Sequence, residues 1–281
     1  MLLASCANTN NNFNSPEVEL NEPVLVEKKE FYDDGLLKTN TIYKDGKPYQ
    51  KINYTYFSGG ELKSVQTINL EDGTYNFREF YKEKTGFNKG LNIFKNYDAN
   101  QKLHGYARHY YASGTLAQEA YFKEGKVHGV NKYYAENRDL LSTSVYEFDE
   151  LKLHREFYDN GVASRETPYE SGSRNGLEKE FYRDGTLKLE RTIVNDEIHG
   201  QVKFFSEKGV LLSKGFAENG DITSVTFFEY TEDGELIKEV NFVNELKHGL
   251  EKEYHSNGKI RSIKNFVKGF ENGEQKTFFD N

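Results

Sequence analysis

Leu177-Glu178-Lys179-Glu180-Phe181-Tyr182-Arg183-Asp184-Gly185-Thr186-Leu187-Lys188-Leu189-Glu190-Arg191-Thr192-Ile193 is the stretch that decides the fold. Before Asp184-Gly185, Leu177 and Phe181 share one face of an extended chain. After it, Leu187, Leu189 and Ile193 do the same. Period-2 alternation on both sides of Asp-Gly reads as a β-hairpin. Asn195-Asp196-Glu197-Ile198-His199-Gly200 then makes a second turn into the next hairpin.

The same unit recurs through the chain. Eight turn glycines anchor it: Gly35, Gly60, Gly114, Gly161, Gly185, Gly209, Gly234 and Gly258, the last five spaced by 24, 24, 25 and 24 residues. Four residues before each glycine stand Phe31, Tyr56, Tyr110, Phe157, Phe181, Phe205, Tyr230 and Tyr254. Two residues after it stand Leu37, Leu62, Leu116, Ala163, Leu187, Leu211, Leu236 and Ile260. Eight after it, every position is again apolar or aromatic, from Tyr43 to Phe266. Two weaker units fill the gaps: Phe80-Tyr81 with a turn near Lys84-Thr85, and Tyr133-Tyr134 with Asn137-Arg138. The first carries an insertion between about residues 84 and 100. The expected fold is all-β: an elongated, single-layer antiparallel meander of about ten tandem β-hairpin repeats of about 24 residues, giving about twenty strands. One hairpin cannot bury its apolar face alone, so stacked neighbours supply the core. The eight aromatics are read as that core, and Phe181→Ala is expected to cost about 3–5 kcal/mol.

Composition agrees with a thin sheet. Of 281 residues only 36% are hydrophobic, yet 15% are aromatic, with 20 Tyr, 21 Phe and no Trp. Disordered chains are poor in aromatics. The 24 Gly and 4 Pro suit tight turns. No apolar run is long enough for a membrane helix. The net charge of −8 argues against nucleic acid as a partner, because phosphate contact needs a basic face.

The second turn completes a recognisable pattern. Lys126-Val127-His128-Gly129 follows Tyr121-Phe122-Lys123-Glu124-Gly125. Lys247-His248-Gly249 precedes Leu250 to Gly258. Leu103-His104-Gly105 and Ile198-His199-Gly200 are equivalent, with Asn175-Gly176 and Asn272-Gly273 as variants. Over about residues 30–281 this resembles the bacterial variant of the MORN repeat, aromatic-aromatic-x-x-Gly-x-Leu followed by Lys-x-x-Gly. The resemblance implies a scaffold or binding surface for lipids or protein partners. Some bacterial chains with this variant are labelled antitoxin-like.

The single cysteine, Cys6, follows Leu3-Ala4-Ser5 and precedes Ala7 and an Asn-rich stretch. This resembles a bacterial lipobox. Only Met1-Leu2 stands before it, so the real start is expected upstream. Residues 1–6 are then a truncated signal and lipobox, 7–26 a disordered tether, and 27–281 the repeat domain. Lipidation at Cys6 places the chain in the bacterial envelope. Ala7, lacking an acidic side chain, favours the outer membrane by resemblance, with the periplasmic or surface side left open. The alternative is a soluble, cytoplasmic antitoxin or immunity-like protein that binds a toxin partner.

Sharper chemistry finds little support. His104, His128, His199 and His248 recur once per hairpin, about 9–10 Å apart, whereas zinc needs nitrogens at about 2.0–2.1 Å. No metal and no cofactor are expected. Glu178/Glu180 and Glu251/Glu253 read as a solvated strand face. GxSxG, P-loop and HExxH motifs are missing, so no catalytic residues are assigned and no enzyme is expected. The residue after the core aromatic is Tyr32, Phe57, Tyr111, Tyr158 or Tyr182 in five units, facing the other side of the sheet. These rings either cover that second face, the favoured reading, or form an aromatic ladder that binds glycan, peptide or lipid. The stripe gives way to Ser206, Thr231 and His255, so a binding ladder would occupy the N-terminal two-thirds. The partner is a protein or envelope ligand of unknown identity, the membrane is met through the lipid anchor only, and the oligomeric state is left open.

Overall fold

The computed structural model describes residues 22–82 and 90–280. Among them all regular structure is β: 24 strand segments, from Leu25–Phe31 to Lys276–Thr277, form one antiparallel sheet. Strands follow one another in the sheet as they do in the chain, from the pair Leu25–Phe31 with Leu37–Lys44 to Leu246–Tyr254 with Ile260–Val267. The sheet starts at Leu25, paired with Lys44, two residues before the expected boundary at 27. Leu91–Tyr97 is a strand paired with Tyr75–Phe80. The insertion therefore does not run to residue 100. Cys6, the Lys84-Thr85 turn and most of the expected tether lie outside the described residues.

The first turn is a three-residue loop. The Tyr182 N–H donates to the Thr186 carbonyl at 2.8 Å, and the Gly185 N–H donates to the Tyr182 carbonyl at 2.9 Å. Gly185 has φ +91°, so a side chain there would be strained. Asp184 accepts the Thr186 N–H at 2.8 Å, which holds its carboxyl below the usual range and pins the loop. Arg138 takes the glycine position in the weak unit at φ 78°. The second turn is tighter. Asn195 and Asp196 have φ 49° and 71°, two consecutive left-handed residues as a two-residue hairpin turn requires.

The motif glycine after the second turn has a separate job. Between Leu187–Val194 and Glu197–Phe205, Arg191 faces Val202 but Ile193 faces Ile198. Three residues, His199-Gly200-Gln201, are squeezed out of register opposite Thr192. The strand breaks away from its predecessor there and joins its successor, with Gly200 opposite Ala217. Gly200 has φ +107°, and Gly176 makes the equivalent break at φ +116°. Where the motif glycine is replaced, the ladder runs on. Lys152 and Val225 stand at that position in strands that stay paired with the strand before them with only a local bulge.

Burial departs from expectation. Phe181 faces Leu187, and the other seven core aromatics face their own apolar partners in the same way. None of the eight is fully buried: Phe31 is 58% exposed, and Tyr56, Tyr110, Phe157, Phe181, Phe205, Tyr230 and Tyr254 are half-buried. They sit at hairpin ends of a single layer, where solvent reaches one side. The buried stripe lies mid-strand on the opposite face, because Phe181 alternates with Lys179 and Leu177 whereas Leu189 pairs with Glu180 across a bulge: Leu189, Val202 and Ala217 form its centre, with Ile193, Val240 and Phe266 alongside. Glu178 and Glu251, expected on a solvated face, are also buried there, at 2% and 6% exposure. Arg191 donates to Glu178 at 2.6 Å and Thr167 at 3.0 Å, while Lys238 and Lys247 hold Glu251. A charge buried mid-sheet persists only when paired and hydrogen-bonded.

Candidate functional site

The sheet is organised in rows that run across the strands. The register shift beside Phe181 leaves Lys188 as the extra residue of a bulge, and its ammonium lies 5.8 Å from the Tyr182 ring centre. Tyr182 follows Phe181 and so alternates with Glu180 and Glu178, on the side of the buried stripe, at the edge formed by the first turns. Its hydroxyl donates to the Phe205 carbonyl at 2.8 Å, one hairpin along. Tyr158 reaches the Phe181 carbonyl at 2.8 Å, Tyr111 the Tyr134 carbonyl at 2.7 Å, and Tyr32 the Tyr54 carbonyl at 2.9 Å. Tyr81 likewise donates to the Tyr110 carbonyl at 2.6 Å. Four of the five candidate binding aromatics therefore spend their hydroxyls on the main chain of the next repeat. Cations also cover one side of several rings, as Arg183 does for Tyr158 at 5.4 Å. Phe57 has no hydroxyl. In its unit the core Tyr56 donates backward to the Leu37 carbonyl at 3.0 Å, and Tyr230 does the same to Leu211 at 2.8 Å.

Inward from that edge, on the opposite, open face, lies a charged row. Arg108 pairs with Glu119 at 2.7 Å, Arg155 with Glu166 at 2.6 Å and Lys203 with Glu190 at 3.0 Å. Next comes an apolar row that sequence reading missed. It consists of the residue directly after the motif glycine and its cross-strand partner: Tyr106 with Tyr121, Val130 with Val145, and Leu177 with Thr192. Leu153 with Pro168 continues it in the repeat between. Tyr106, Val130 and Leu177 are 47%, 42% and 43% exposed. The signal was present as an apolar residue after the Gly of Gly105, Gly129, Gly176 and Gly249. Nothing in the sequence says that no second layer covers it.

The four motif histidines do not converge. His128 packs at a tilt against Phe148 with ring centres 4.7 Å apart, and His199 meets Phe216 edge-on at 6.3 Å. Among the described residues no group of three or more His, Cys, Asp or Glu is placed to hold a metal ion. Likewise, no helix there is long and apolar enough to cross a membrane.

Residues 103–124, 174–195, 225–244 and 247–268 each match the model of the MORN repeat variant family. The chain is a β-repeat protein, and these four stretches, less than a third of it, are similar to MORN repeat variants. No curated protein matches it. Solved structures with some likeness include the TcdB2-TccC3-Cdc42 complex, at 9% identity and TM-score 0.22 over 86% of this chain and 18% of that one. TcdB2-TccC3 without its hypervariable C-terminal region gives 10% and 0.24 over 86% and 14%. TcdB2-TccC3 itself gives 10% and 0.18 over 85% and 17%. The chain spans less than a fifth of the length of each.

Proposed function

We propose that this protein is a non-enzymatic scaffold of the bacterial envelope, anchored by lipid on Cys6 and presenting the open face of its sheet to a protein partner. The observation that supports the reading is the exposed apolar row Tyr106, Val130, Leu177 with its cross-strand partners, which no second layer covers among the described residues. Exposed apolar rows flanked by polar rows mark interaction surfaces. The ion pairs beside it would set the register of the partner, since rim charges contribute more to specificity than to affinity. The lipobox resemblance around Cys6 supports the anchor, and an outer-membrane location follows from Ala7.

The test uses the chain carrying Cys6→Ser as bait in an envelope extract, compared with the same chain carrying Val130→Glu and Leu177→Glu. A protein retained by the first and lost with the second supports the open face as the interface. Equal retention sinks it. The anchor is read separately. Radiolabelled palmitate should enter the wild-type chain and not the Cys6→Ser form. If neither is labelled and both fractionate as soluble, the soluble toxin-binding alternative replaces the anchored scaffold.

A further inference from the structure

The charged row on the open face is broken at one hairpin by like charges. In three hairpins the residues six before and five after the turn glycine are opposite in charge and face each other: Arg108 with Glu119, Arg155 with Glu166, and Lys179 with Glu190. In the hairpin around Gly209 the same two positions are Lys203 and Lys214, again direct cross-strand partners. Like charges directly opposite destabilise a strand pair. Lys203 has relief from Glu190 on its other side at 3.0 Å. Lys214 forms no ion pair among the described residues, and its ammonium sits 5.5 Å from the Phe228 ring centre.

This break coincides with a concavity of about 510 Å³, whose lining includes Gln201, Lys203, Lys214, Phe216, Ser224 and Val243. The register sorts the open-face residues into two rows. Lys203, Lys214, Thr226 and Asn241 are successive partners across four strands. Gln201, Phe216, Ser224 and Val243 form the parallel row beside them. In a chain with eight excess acidic charges, no carboxylate lines this cavity. The site is also outside the repeat pattern. Val225 stands where most neighbouring hairpins have the motif glycine, so the strand Asp221–Tyr230 stays paired with Leu211–Glu218 and the cavity floor is continuous. Gly215 lets that floor close up, because a Cβ there would lie 2.6 Å from the Ser224 carbonyl oxygen.

We propose that this concavity binds a small organic anion, its acidic group between Lys203 and Lys214 and its apolar body over Phe216 and Val243. The volume falls in the range of small-molecule sites. The anion supplies the countercharge that glutamate supplies in those three hairpins, and Ser224 and Gln201 line the cavity as donors for its remaining oxygens. This inference is independent of the scaffold reading and of the anchor.

The probe is 1-anilinonaphthalene-8-sulfonate, titrated by fluorescence against the full chain. The neutral N-phenyl-1-naphthylamine serves as the same aromatic body without the charge. The expected result is one saturable sulfonate site with weaker binding of the neutral compound. Lys214→Gln should weaken the sulfonate about tenfold, as for loss of one charge-assisted hydrogen bond. Lys188→Gln, outside the cavity, should leave it unchanged. Lys214→Glu restores the opposite-charge pair, so it should raise the melting temperature while removing sulfonate binding, which separates loss of the site from loss of the fold. Equal affinity for both compounds, or sulfonate affinity unchanged in Lys214→Glu, overturns the proposal.

Discussion

Replacing Tyr182 by Phe removes one hydroxyl and leaves its ring in place. The hydroxyl donates to the Phe205 carbonyl at 2.8 Å from a half-buried position, one repeat away. A neutral hydrogen bond contributes about 0.5–1.5 kcal/mol net, and partial access of water to the orphaned carbonyl puts this one at about 1 kcal/mol. Tyr111, Tyr158 and Tyr182 make the same bond in different repeats without shared partners. Their losses should therefore add, giving about 3 kcal/mol for the triple Phe variant. In a repeat array the loss falls on the coupling between neighbours rather than on any one hairpin. With a urea slope of about 3 kcal/mol/M, the single variant moves the midpoint by about 0.3 M and the triple by about 1 M. The triple transition should also broaden as neighbouring repeats uncouple. The assay is urea unfolding followed by far-ultraviolet circular dichroism. A triple variant within about 0.2 M of wild type, with an unchanged slope, would refute the idea that these hydroxyls couple the repeats.

Three further outcomes follow from the same structure. Phe181→Ala should cost about 2 kcal/mol in urea unfolding, below the usual cost of a fully buried ring, because Phe181 is half-buried against Leu187; a loss above about 4 kcal/mol would mean that the hinge of burial lies at the hairpin end after all. Gly176→Val should cost about 2 kcal/mol or more, since φ is +116° and the new Cβ would lie 3.0 Å from Pro168 Cγ; a melting temperature equal to wild type would show the strand break to be dispensable. Burial raises the Glu251 pKa, but the Lys247 hydrogen bond and the Lys238 and Lys247 charges outweigh it and hold the carboxyl below its usual value. Its stabilisation is therefore complete above the ordinary carboxylate range and lost as pH falls through the lowered folded value. The stability gap between wild type and Glu251→Gln should be widest near neutral pH and shrink on acidification, and a gap that is constant from pH 7 to pH 3 would contradict this.

Much of the architecture was legible because the repeat writes it many times over. The aromatic at one end of Tyr110…Gly114…Leu116 and the leucine at the other turn out to be direct partners across the strands. The 24-residue spacing sets two strands per unit. The departures have a common cause. Alternation assigns a residue to a face but does not say how deeply that face is buried, and depth depends on how far a position lies from the sheet's edges. Thus Phe31, at both the terminal strand and a hairpin end, is exposed, while Glu178 in mid-strand is buried. The carboxylate there looked solvated because its partners, Arg191 and Thr167, are cross-strand neighbours rather than sequence neighbours.

The tyrosine struts and the double-lysine hairpin mark the same division. The sequence by itself determined the unit: two strands, a glycine loop and a left-handed two-residue turn. These are local preferences of backbone and alternation, repeated until their register is unmistakable. Only the tertiary structure decided what the second aromatic does, which face stays open, and that Lys203 meets Lys214. Those facts depend on which residues of adjacent strands stand opposite each other, and on contacts across about 23 residues of chain. That register is set by turns and strand breaks acting together, not by any single stretch of the chain.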